Sequence, residues 1–200
     1  MTTLPITIHP ATVHFAIVLP VVAAIFGLIF LFTKSETLSK ITARTALLAA
    51  VAMIAVWYTG NQAGPQVYKY LSVAGQHELL EHKQLGLYLA IATSIVALIL
   101  IVGCRMKNYV LQALGVLAMV AVMLTTFLQG KDGGEIAYEY GMPFKAYKMH
   151  KVLNQAAAQA DKQDESDDQV DTYDDAVDNI NEIYNDVDAL YAKKKKEADE

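Results

Sequence analysis

The run from Ala11 to Phe32 constrains this chain most: about 22 consecutive residues carry no charged side chain. As a helix such a run rises roughly 33 Å, enough to cross a hydrocarbon layer of about 30 Å. Three more apolar stretches follow, at about 41–60, 85–104 and 109–129. Their length and continuous apolar character read as transmembrane helices. The expected fold is all-α: a four-helix transmembrane bundle occupying residues 1–150, in contact with the lipid bilayer. A secretory signal would open on basic residues. Here Lys34, Lys40 and Arg44 follow the first span, which predicts a retained helix. Pro20 removes one backbone donor within it and predicts a kink.

Basic residues set the expected orientation. The short connections 33–44 and 105–108 hold three and two Lys or Arg, and residues 1–10 hold none. By the positive-inside rule the two connections face the cytoplasm of a bacterial inner membrane, and both termini face the periplasm. Arg44 then snorkels to the inner interface, with Trp57 and Tyr58 at the outer one. Gly64-Pro65 reads as a break, and residues 67–73 as a short interfacial helix in an outer connection.

The charge balance divides the chain in two. Residues 161–200 carry about −10 and residues 1–160 about +5, within an overall −5. Such a split marks two solvents. Residues 151–169 read as a solvated linker. Residues 170–196 read as an acidic, heptad-patterned extramembrane helix, because Val170, Tyr173, Val177, Ile180, Tyr184, Val187 and Tyr191 recur in steps of three and four. That seam predicts a coiled coil, a partner helix or a homo-oligomer through 170–191, or else a helix folded back on its own chain. Nothing in the composition points to nucleic acid. Lys193 to Lys196 would meet anionic lipid if the orientation were inverted.

No motif of a soluble enzyme is present: there is no phosphate-binding glycine loop and no nucleophile elbow. His77-Glu78-x-x-Glu81-His82 resembles a zinc-protease helix. Its histidines are five apart, about 140° around a helix, where that motif needs four. A single cysteine, Cys104, excludes a disulfide framework. The spans hold no acid or base at mid-depth, which argues against an ion or proton path.

The histidines are the candidate chemistry. His9 and His14 begin the first span, His77 and His82 begin the third, and His150 follows the fourth. All lie on the outer side in the expected topology, and the first and third helices run in the same direction. Neutral imidazole ligates haem iron, zinc or copper, and facing helices of a bundle are a common place to hold such a group. His14 and His82 lie nearest the hydrocarbon and are the favoured ligands of a haem b or metal ion, with His9 and His77 next. Glu78, one turn before His82, is placed to orient an imidazole. Interfacial anchoring accounts for histidines and tyrosines at such positions equally simply. The rival reading is a non-catalytic membrane module that recruits a partner through its tail.

His9-Pro10-Ala11-Thr12-Val13-His14-Phe15, four spans, and Gly133-Gly134-Glu135-Ile136-Ala137-Tyr138-Glu139-Tyr140-Gly141 together resemble the bacterial membrane family called domain of unknown function 2231. The likeness covers about residues 7–144. It implies the four-span fold and an outer-face site; haem is only suspected in the family. Ala16 stands where the family has proline. Tyr140 stands where it often has histidine, so the resemblance implies a supporting role for Tyr140 and not a ligand.

Overall fold

The computed structural model describes residues 4–141 and 143–199, apart from the side chains of 143–145, 147 and 186–199. Helices α1 (Ile8–Thr33), α2 (Glu36–Tyr68), α3 (Val73–Arg105) and α4 (Tyr109–Glu135) are followed by a π-helical turn (Ile136–Tyr140), α5 (Pro143–Ala160) and α6 (Ser166–Asp199). No strand occurs among the described residues. Helices α1 to α4 are each long and apolar enough to span a membrane. The chain divides into two compact units, residues 1–67 with 80–133, and residues 68–79 with 134–200.

The first unit is the bundle. Its outward residues are large and apolar, among them Phe15, Val18, Ile25, Phe32, Leu98 and Leu117. Its interior is built from small ones, including Ala23, Ala24, Ala46, Ala49, Thr42 and Thr93. That inversion suits lipid, where helices associate by close backbone approach and interhelical hydrogen bonds because the tails are as apolar as leucine. Gly27 shows how close the approach is: a Cβ there would lie 2.7 Å from Val116 of α4.

The bundle is two copies of one hairpin. A shift of 73 residues carries His9 to His82, Lys34 to Lys107 and Gly60 to Gly133. Lys34 and Lys107 end α1 and α3 with the same left-handed backbone, φ 52° and 51°. The six buried residues of α1 (Ala16, Pro20, Ala23, Ala24, Gly27, Phe30) map onto Leu89, Thr93, Val96, Ala97, Leu100 and Gly103, all buried. The six buried residues of α4 (Gln112, Gly115, Val116, Met119, Val122, Thr126) map back onto Ser39, Thr42, Ala43, Ala46, Ala49 and Met53, also all buried. Ser39 and Gln112 are equivalent positions and hydrogen-bond to each other. A contact between equivalents lies on the pseudo-two-fold axis, so α2 and α4 meet there. Both hairpin turns are at one end of the unit: Lys107 reaches Glu36 at 3.9 Å, and Lys34 sits 5.2 Å from the Tyr109 ring centre. His9 and His82 therefore share the other end.

Two expectations change. Gly64-Pro65 does not break α2, which continues through Pro65 to Tyr68; the outer connection shrinks to residues 69–72, with no separate helix at 67–73. Residues 151–160 and 166–169, read as linker, are helical, and only 161–165 connect α5 to α6. Alanine-rich sequence favours helix, and Ala156 and Ala160 are buried where α5 and α6 pack together.

In the second unit, Leu71, Ala74, Ile136 and Tyr140 form a small core with Leu79. The Ser72 hydroxyl accepts from the Gly75 N–H and caps the start of α3. Helix α6 faces α5 through Thr172 and Ala176, and its Thr172 hydroxyl donates to Gln163. The predicted seam is on another face: Val170, Tyr173, Val177 and Tyr184 are between 40% and 57% exposed. The side chains of Val187, Tyr191 and Lys193 to Lys196 lie outside the described residues.

Gly27→Leu should destabilise the bundle by about 1–3 kcal/mol, the usual cost of overpacking. Thr42, another neighbour of Gly27, has Gly115 as its repeat equivalent, against which Leu100 packs. Thr42→Gly should recover part of the loss; unfolding in mixed micelles reads both.

Candidate functional site

The histidine end of the bundle is built twice. On α1 the His9 ring lies over Gly60 of α2, where a Cβ would come within 2.9 Å of its Cε1. On α3 the His82 ring lies over Gly133 of α4, where a Cβ would come within 3.0 Å of the same atom. Glycine lets each imidazole sit this close to the neighbouring helix, and the 73-residue shift carries one histidine–glycine pair onto the other.

His9 Nδ1 lies 3.2 Å from the Thr59 hydroxyl, and the imidazole tautomer decides which of the two donates. The same hydroxyl lies 3.0 Å from the Val56 carbonyl and 3.0 Å from the Thr12 hydroxyl, and Thr12 donates to the His9 carbonyl at 2.8 Å. His14 is settled more simply. Its Nδ1 lies 2.9 Å from the Pro10 carbonyl, which can only accept. His14 therefore carries hydrogen on Nδ1, and its neutral form presents Nε2 as a lone pair. An N–H held by a carbonyl or hydroxyl behind a free nitrogen is how ligating histidines are usually oriented.

The favoured pair is unequal in setting. His14 is exposed on α1, whereas His82 is half-buried on α3. The residue at the repeat equivalent of His14 is Leu87, so the two-fold relates His82 to His9 and not to His14. The His82 carbonyl also takes an extra side-chain hydrogen bond, from Gln129 Nε2 at 2.7 Å. Thr12 performs that task at His9 from a different position.

The remaining candidates belong to the second unit. His77 is exposed, while Glu78 and Tyr140 are 2% and 3% exposed. Tyr140 packs on Gly75, where a Cβ would lie 2.7 Å from the tyrosine Cβ. Glu78 and Glu135 bring carboxylate oxygens within 4.8 Å of each other. His150, on α5, is exposed and contacts Asn154.

Sequence reasoning passed over Gly60, Gly133, Thr59 and Gln129. The recurrence of histidine and glycine at 9 and 60, then 82 and 133, was the signal that exposes them.

Fold and site together define a helical membrane protein with four candidate spans and a duplicated histidine–glycine contact at one end. The model for the predicted membrane protein family DUF2231 matches residues 5–146, and the chain belongs to that family. No curated protein and no solved structure matches it significantly.

Thr59→Val keeps the shape of the side chain but removes the hydroxyl that pairs with His9 Nδ1. It should cost roughly 1–3 kcal/mol, the penalty for a buried polar group left unsatisfied, and His9→Leu in the same background should cost no more. Micelle unfolding of the two variants checks this.

Proposed function

We propose that the histidine end of the bundle ligates a b-type haem or a transition-metal ion and serves electron transfer. His82 supplies one ligand, and α1 supplies the other from His14 or His9. The observation that carries this reading is the state of His14, whose Nδ1–H is engaged by the Pro10 carbonyl so that Nε2 of the neutral ring is presented as a lone pair. The donor set fits the group, because neutral imidazoles with no thiolate suit haem iron, copper or zinc. A bound haem would supply one-electron chemistry. The chain's own part is to hold the imidazoles in the ligating tautomer and at one level. We place the site on the periplasmic side of a bacterial inner membrane, with both termini there, from the basic residues of the two hairpin turns.

The absorption spectrum of the detergent-purified protein, oxidised and then dithionite-reduced, tests this with metal analysis of the same sample. A Soret band that sharpens on reduction, or one equivalent of metal, is expected. His82→Ala should abolish retention while insertion is unchanged, and His14→Ala and His9→Ala identify the second ligand. A featureless, metal-free protein from haem-supplied cells overturns the proposal.

A second reading has its own observation. The exposed stripe of Val170, Tyr173, Val177 and Tyr184 is free of the α5 contact, which suits a partner helix or a second copy. On this reading deletion of residues 165–200 removes function while histidine variants keep it. Complementation of a deletion strain with the two kinds of variant separates the readings.

A further inference from the structure

Helix α6 has one face against α5 and another, apolar, that nothing covers among the described residues. On that second face Val170, Tyr173, Val177 and Tyr184 are large, apolar and exposed. Residues 166–185, which carry this stripe, hold seven Asp or Glu and no Lys or Arg. None of the seven forms an ion pair among the described residues. A helix that covers the stripe has to bring apolar residues at the same spacing together with the opposite charge. The chain carries such a helix itself. Its sequence continues the stripe with Val187 and Tyr191 and then runs through Lys193 to Lys196, all within α6.

We infer that α6 pairs with α6 of a second copy of this chain, running antiparallel, with Ile180 level with Tyr184 of the second copy. Each residue forward on one helix is then matched by one residue back on the other. Val177 meets Val187 and Tyr173 meets Tyr191, so apolar layers stack over about 27 Å. At each end Lys193 and Lys196 come level with Asp171 and Asp168 of the other copy. Parallel pairing would instead set acid beside acid and lysine beside lysine, which an interface penalises. Charge therefore selects the direction, and it selects the register as well. A shift of one heptad either carries the lysines past the start of α6 or shortens the stack of apolar layers. The seam is short for a free coiled coil, but two chains held in one bilayer meet at a high effective concentration. The inference rests on the second reading above, in which the stripe is a docking face, and commits that face to one occupant.

The test uses the full-length chain in micelles, with Cys104→Ser to remove the native thiol. Tyr173→Cys and Tyr191→Cys variants are oxidised separately and as a mixture. In the antiparallel pair position 173 meets 191, whereas the two 173 positions are about 27 Å apart along the axis. A disulfide-linked dimer is expected from the mixture and from neither variant alone. Linkage within each variant alone identifies a parallel pair and overturns the inference. Charge is read with the stripe intact, by the mass of the protein in the micelle. The unaltered chain should be a dimer. K193E/K194E/K195E/K196E and D167K/D168K/D171K should each dimerise about tenfold or more weakly, because each sets like charges together at both ends. Mixing the two should restore the dimer, since each then supplies the charge that the other lacks. A monomeric unaltered chain overturns the inference and leaves the stripe to the helix of another protein; a dimer indifferent to both sets of changes overturns it too. V177D/Y184D separates the inference from the reading beneath it. A dimer lost in that variant with complementation intact leaves the pairing standing and sinks the second reading. A monomeric chain whose tail deletion still removes function does the reverse.

Discussion

The hydrogen bond between Ser39 and Gln112 is the pivot of the bundle. It joins two equivalent positions of α2 and α4, so it lies on the axis that relates the hairpins. Such a bond is worth only about 0.6–2 kcal/mol in a membrane. Its importance is in register. Two helices that meet at equivalent residues cannot slide without breaking the equivalence of every layer above, from Ala43 and Val116 through Ala46 and Met119 to Met53 and Thr126. The position of His9 against Gly60 and His82 against Gly133 is the far end of that ladder.

Lipid explains why the ladder is made of small residues. Water offers apolar helices a reason to associate; hydrocarbon does not. Packing must come from contact distance, so alanine, serine, threonine and glycine make up much of the inside, around the buried Met53, Leu100, Val116 and Met119. The two halves balance volume locally. Gly27 faces Thr42 and Val116, whereas its equivalent Leu100 fills the space left by Gly115. A large residue in one copy is matched by a small one opposite, which keeps backbone geometry constant while sequences diverge.

The same substitution freedom decides what the sequence could reveal. Spans were legible because hydropathy over twenty residues needs no partner information. Their ends were not. Pro65 lies in α2 as Pro20 lies in α1, and Ala156 and Ala160 become helical through burial against α6. The heptad seam of α6 was a sound pattern, but Thr172 and Ala176, which face α5, are too small and polar to register as apolar repeats. The hairpin repeat escaped for a related reason. Within a hydrocarbon solvent Ala, Val, Leu and Met exchange freely, so identity survives where geometry or chemistry demands it. His9 and His82, Lys34 and Lys107, and Gly60 and Gly133 meet those demands. The ring seat needs glycine. The left-handed ends at Lys34 and Lys107 are held by a lysine each, where glycine is the usual occupant.

Duplication also bears on what kind of site this is. A purely structural histidine at the boundary would need no seat, since an interfacial imidazole is satisfied by water. Here glycine lies opposite the ring at both His9 and His82. A glycine in a helix costs about 1 kcal/mol relative to alanine, and both hairpins bear that cost at the same place. Thr12 and Gln129 show the same convergence: different residues, from different positions, each donate to the carbonyl of the seated histidine. Each ring rests against a neighbouring helix and each histidine carbonyl takes a side-chain hydrogen bond, which restrains the two imidazoles more than water at an interface would.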